Sequence, residues 1–287
     1  MKGATLIISL ITAVAAYAAT PSAPRFGNEA ADTTAISRIL VEAVESDFRS
    51  PQERTAFIAR HFEGVPYQAH TLEGTPERLT VRLDSLDCTT FVETALALSY
   101  TAGERRTSWR DFLYNLERLR YRGGKIDGYG SRLHYICDWA VDNIHRGNLA
   151  DVTDRVPRCN YVVRSIDFMS HHRNAYPALA DSAEFERIKA VESGYRSHRF
   201  PYIRTADLRF KDVQDALRTG DVVALVTKMK DLDVTHMGII VKNQDGVPYL
   251  LHASSSHGRV EQTSVPLAEF MKRNASLIGV RVFRLRE

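Results

Sequence analysis

Residues 236–254 read HMGIIVKNQDGVPYLLHAS, two apolar runs on either side of an Asn-Gln-Asp-Gly tip. Short runs rich in β-branched residues around such a tip specify a β-hairpin. The length of the tip sets the register, and the register decides which side chains share a face. A two-residue turn, Asp245-Gly246, pairs His236 with Ser255 and sends His252 to the opposite face. A three-residue loop, 244–246, pairs Gly238 with His252 and His236 with Ser254. Both imidazoles then lie on one face as near-diagonal neighbours. Gly246 at the third position suits this longer loop, and Pro248 falls near a strand end, where a missing N–H costs least. The favoured turn is compatible with a base and its orienting partner on one sheet face.

Outward from the hairpin, 221–226 and 277–285 are also strand-like. Upstream the apolar spacing turns helical over 31–48, 51–62, 109–119, 135–144 and 183–191. From Cys88 onward Phe91, Val92, Ala95, Leu96 and Leu98 keep the same spacing, and only 79–83 alternates like a strand. Helices first and then an antiparallel sheet predict an α+β fold, not a doubly wound one.

The stretch LDCTTFVE, residues 86–93, places a cysteine where a polar turn meets an apolar helix. Asp87 is a good N-cap, which puts Cys88 in the first helical turn. A capping box from Thr90 to Glu93 would shift the start by a few residues. Backbone N–H groups and the positive end of the helix favour a thiolate there. Read alone, a cysteine is more often a buried small hydrophobe. The polar neighbours and the downstream histidines turn the balance toward a nucleophile with a base. Asp87 is expected to cap and nothing more.

Composition limits the alternatives. The 287 residues carry a formal charge of +3 and 44% hydrophobic content, and no run of Lys or Arg suggests nucleic acid. The alternation Arg118-Leu119-Arg120-Tyr121-Arg122 fits a solvated helix face or a groove wall. Met1-Lys2, an apolar run over 4–16 and Ala16-Tyr17-Ala18 have the layout of a secretory signal peptide spanning 1–18. The run is too short to span a membrane. The mature chain, 19–287, is expected to be exported, with no stable membrane anchor. Three cysteines, Cys88, Cys137 and Cys159, allow at most one internal disulfide, with Cys137–Cys159 the conceivable pair. No metal-ligand spacing appears, so neither metal nor cofactor is expected. Trp109 and Trp139 read as packing residues.

Taken in order, DCTTFV (87–92), TGDVVAL (219–225), HMGI (236–239) and HAS (252–254) resemble the motif series of NlpC/P60 cell-wall cysteine hydrolases. GVPY (64–67) resembles their upstream tyrosine segment. The resemblance implies a papain-like fold, N-terminal helices on an antiparallel sheet, forming a single catalytic domain. It also implies a Cys88-His236-His252 triad working through a thioester, with Tyr67 as oxyanion helper or groove wall. Ser254, Ser255 or His257 could orient the base in place of His252. The long interval between Cys88 and His236 implies a helical insertion over about 103–204. That interval and the segment GSRLHY (130–135) are similar to the N-acetylmuramoyl-L-alanine amidase-like (AmiA-like) branch of Gram-negative bacteria. The branch implies a periplasmic amidase that cuts muropeptides between the muramic lactyl group and L-alanine, with 1,6-anhydro forms among the candidates. Ser131, Arg132, His134 and Tyr135 are then candidate substrate contacts, although an internal salt bridge and helix cap is an equal reading of Arg132 and His134. A stem-peptide endopeptidase cutting after γ-D-glutamate, and a non-catalytic peptidoglycan-binding module, are the competing functions. A lipid acyltransferase is a remote further one.

Overall fold

The computed structural model describes residues 23–286, so the expected signal peptide lies outside the described residues. α1 (Glu29–Glu45) begins where the Asn28 side chain accepts from the Ala31 N–H. α2 (Pro51–Arg60) is capped by Ser50, with Pro51 in the first turn where a missing N–H leaves nothing unpaired. β1 (Arg25–Phe26) and β2 (Thr80–Val81) form a short parallel pair. The strand expected over 79–83 shrinks to that pair. α3 (Cys88–Gly103) follows, buried around most of its circumference, then α4 (Trp109–Arg120) and α5 (Ile136–His145).

The segment from β3 (Leu149–Asp151) through β4 (Asn160–Arg164), α6 (Phe168–His171), α7 (Ser182–Ser193) and β5 (His198–Arg204) corrects the expected helical insertion. It contributes strands as well as helices. β3 and β5 both pair with the C-terminal strand, and in β5 the aromatic Phe200 and β-branched Ile203 are the buried positions. After α8 (Lys211–Ala216) come β6 (Val222–Thr227), β7 (Val234–Lys242), β8 (Pro248–Ser254), β9 (Arg259–Gln262), α9 (Leu267–Arg273) and β10 (Leu277–Leu285). They complete an eight-stranded sheet in the order β4-β5-β10-β6-β7-β8-β9, with β3 against one end of β10. Every pairing within it is antiparallel. The described chain is mixed helix and sheet, 43% helical and 22% strand.

The two faces of the sheet are covered differently. Met237, Ile239, Leu251 and Ala253 share one core with Phe91, Val92 and Ala95 of α3. Leu225, Ile240, Leu250 and Val280 share a second core with Leu267 and Met271 of α9. A third, smaller core gathers Tyr129, Tyr135, Cys137, Ile166 and Ile188.

The β7–β8 register is the three-residue one. Ile239 pairs with Leu251 and Val241 with Tyr249, and Asn243 N–H closes the loop on Val247 C=O at 3.0 Å. Gly246 sits at φ +77°, a left-handed position that a side chain rarely adopts. Continuing that register puts Gly238 opposite His252. A Cβ on Gly238 would stand 2.7 Å from Leu251 O and 3.0 Å from His252 Cβ. Gly238→Ala is therefore expected to spread β7 from β8 beside the imidazoles. A cost of roughly 1–3 kcal/mol, typical of overpacking, should appear in denaturant unfolding.

A feature absent from the sequence reading lies next to His236. On β6, Leu225 pairs with His236 but Val226 pairs with Val234, so Thr235 is an extra, bulged residue. The bulge explains how Val234 enters the same core as Met237 and Ile239 despite its odd spacing. Bulges bend a strand and re-aim the neighbouring side chain.

Candidate active site

Asp87 starts α3 with a reciprocal cap. Its carboxylate accepts from Thr90 N–H at 2.8 Å, and Thr90 Oγ1 accepts from Asp87 N–H at 2.9 Å. Cys88 is thereby fixed as the first helical residue, and its own N–H has no acceptor within the helix. The half-buried sulfur lies 4.0 Å from Thr89 Oγ1 and accepts from the backbone N–H of Met237, one residue beyond His236. Tyr67 stands close enough for the sulfur's charge to raise its phenol pKa, after burial, the larger cause. Its backbone donates to Gly258 C=O at 2.8 Å, and the flanking Gln68 N–H donates to Leu86 C=O at 3.1 Å. The tyrosine is thus tied to both the strand-end hairpin and the cap of α3.

The two imidazoles meet. His236 Nε2 and His252 Nδ1 are 2.7 Å apart, with rings edge to face at 4.9 Å between centroids. Phe270 of α9 closes the outer side of His252, 5.4 Å from ring to ring. His236 and His252 share parity with Ile240 and Leu250, hence the α9 side of the sheet. The body of α3 packs on the other side, and the Cys88 sulfur at its N-terminal end reaches β7 at the Met237 N–H. The common face expected for the two imidazoles is the one they share.

Burial opposes the expected charge on the sulfur. Burial pushes the Cys88 thiol up to about 11, Asp87 adds to the rise, and the Met237 N–H opposes it. Burial pushes His236 down to about 4 and His252 to about 3. Burial thus favours a neutral thiol and neutral imidazoles, against the thiolate that the helix end favours. Among the described residues, no hydrogen bond joins Cys88 to His236 in this resting state.

The segment 131–135 is occupied by internal partners. Ser131 Oγ donates to Gly128 C=O at 2.7 Å, closing a turn. Arg132, 6% exposed, donates to Glu73 at 2.9 Å, lies 3.3 Å from Glu77 and stacks over Tyr129. His134 Nε2 is 2.9 Å from Tyr129 C=O. Tyr135 is buried in the third core, where its hydroxyl donates to Glu192 and accepts from Met169 N–H, both at 2.7 Å. Cys137 and Cys159 are both free, and they belong to different cores. Trp139 is fully buried, and Trp109 packs edge-on to Phe26. Among the described residues there is no group of three or more metal-ligating side chains, and no helix is long and apolar enough to cross a membrane.

Burial holds His134 down at about 3, which gives a prediction. A depressed imidazole binds its proton less well folded than unfolded. Its contribution is complete above the ordinary value near 6.5 and is lost as pH falls toward the folded value. The stability gap between wild type and His134→Gln should be widest above pH 7. In urea titrations it should shrink by up to about 1.4 kcal/mol per pH unit on acidification.

Comparison with known proteins places this geometry. Residues 57–279 match the sequence model of the AmiA-like, N-acetylmuramoyl-L-alanine amidase-like family, and the chain belongs to that family. It is similar to a crystal structure of an N-acetylmuramoyl-L-alanine amidase from Bacteroides uniformis, at 37% identity and TM-score 0.78 over 83% of this chain and 99% of that one. A Bacteroides fragilis structure, solved under the provisional name of a xylanase, matches at 38% identity and TM-score 0.74 over 79% and 99% of the two chains. A Legionella pneumophila protein shares the fold at 21% identity and TM-score 0.69 over 91% and 97%. A search of curated proteins gave no match.

Proposed function

We propose that the chain is an exported, periplasmic cysteine amidase that hydrolyses the N-acetylmuramoyl-L-alanine bond of peptidoglycan fragments, on a papain-like scaffold of the NlpC/P60 type. The observation that carries the reading is the 2.7 Å His236–His252 contact, one residue along β7 from the backbone N–H that holds the Cys88 sulfur. Family membership and the amidase-named Bacteroides uniformis structure support the bond type. Glycoside cleavage needs two carboxylates flanking the bond. The one beside the sulfur, Asp87, is engaged as the α3 cap.

The chemistry follows from the resting charges. A thiol and a neutral base call for proton transfer to His236 as the sulfur attacks the amide carbonyl, so charge separates with substrate present. His236 Nε2–H donates to His252 Nδ1, which leaves His236 Nδ1 to take the thiol proton and pass it to the departing amine. Water, activated by the same nitrogen, then opens the thioester. The Cys88 N–H at the helix end and the Tyr67 hydroxyl are the oxyanion donors of this scheme. Losing one such donor costs about a hundredfold or more in turnover.

Defined muropeptides, with and without prior thiol alkylation, provide the test. Mass spectra should show free disaccharide and intact stem peptide, lost on alkylation. A severed stem peptide would identify an endopeptidase. Binding without any product would identify a non-catalytic module.

A further inference from the structure

We infer that Glu261 on β9 is a positioning residue for the imidazole pair: it selects the tautomer of His252 and thereby aims the His236 lone pair at the thiol. The inference rests on the Cys88-His236-His252 reading above. β8 and β9 pair His252 directly with Glu261. Their side chains leave the same face of adjacent strands, with Cβ atoms about 5 Å apart. Both line one open cavity of about 400 Å³, shared with Thr263, Phe270 and Arg273.

His252 uses Nδ1 on His236, and among the described residues its Nε2 makes no protein hydrogen bond. The charged and titratable groups around it are His236 on β7, His257 in the turn after β8, Arg259 and Glu261 on β9, and Arg273 on α9. Glu261 is the one carboxylate in that set. Its charge raises the proton affinity of His252, whereas burial, His236 and His257 lower it. His257 Nδ1 hydrogen-bonds the Glu261 carboxylate, and Arg259 Nε lies 3.5 Å from it, so the anion is held in place from two sides.

A nearby carboxylate favours an imidazole whose N–H points toward it. With the proton on Nε2, His252 Nδ1 is a bare acceptor, and His236 must donate from Nε2. His236 Nδ1 is then the bare base. The opposite tautomer reverses the chain and leaves His236 with a proton where it needs a lone pair. A purely structural Glu261 would instead only anchor His257 and Arg259 at the hairpin.

Histidine-¹⁵N NMR of the intact chain reads the His252 tautomer without any substrate. Wild type and Glu261→Asp should show Nε2–H, and Glu261→Gln a shift toward Nδ1–H. His257→Ala, which keeps the carboxylate, should match wild type. On muropeptide, Glu261→Gln should lose about tenfold or more in kcat, with KM within about twofold, because a misplaced proton disables the base. The inference is overturned by Nδ1–H in wild type, or by Nε2–H unchanged in Glu261→Gln. If Glu261→Gln does not fold, wild type and Glu261→Asp still decide. An inactive wild type would sink the amidase reading and leave the tautomer result standing.

Discussion

Cys88→Ala should reduce muropeptide turnover by at least about a thousandfold, the scale on which removing a covalent nucleophile leaves only binding and oxyanion contributions. The variant should fold normally. The α3 cap rests on Asp87 and Thr90, and the apolar face of the helix begins at Phe91. His236→Ala should fall by a similar factor, and the double variant should be scarcely worse than either single one, because the two groups act as a unit. His252→Ala should retain more, since in the proposed scheme it orients the base and does not touch the bond. Initial rates of disaccharide release, beside thermal melts of each variant, measure this. Cys88→Ala with more than about a tenth of wild-type turnover would exclude the sulfur as nucleophile.

Arg120→Ala should be the most destabilising of the simple variants. Arg120 Nε donates to Glu93 Oε2 at 2.5 Å and Nη1 donates to Thr80 C=O at 2.6 Å, with side-chain exposures of 2% and 1% for the pair. Glu93 lies in α3, the helix that begins with Cys88. Burial raises its carboxyl pKa and Arg120 opposes the rise, so the arginine is what keeps a charge tolerable there. Removing one partner strands the other, at a cost of about 3–5 kcal/mol. For a chain of this size that lowers Tm by on the order of 10 °C. A paired Glu93→Leu, Arg120→Met replacement should recover much of the loss. If Arg120→Ala alone melts within about 2 °C of wild type, the pair contributes little.

Arg120 also shows where the sequence was opaque. Within Arg118–Arg122 the alternation reads as a solvated helix face or a groove wall, yet Arg120 points inward because its partner, Glu93, approaches from a separate helix. Periodicity identifies a face, not what covers it. The hairpin was legible because its register depends on the local tip, Gln244 to Gly246, and the α3 start because its cap is local. The Thr235 bulge, strands β3 to β5 and the α9 cover were not legible, since each depends on pairing between remote segments. Glu261 escaped for the same reason, although Gly258 at φ +71° marks the turn that brings it beside His252.

Exposed loop tips usually drift in length without penalty. The tip formed by 244–246 is different, because the orientation of both rings depends on odd-or-even counting along it. Variants that lengthen the tip by two residues keep the rings facing each other, while those that add one turn a ring away. Libraries randomised there should yield working clones at alternate lengths, a constraint imposed far from the bond being cut.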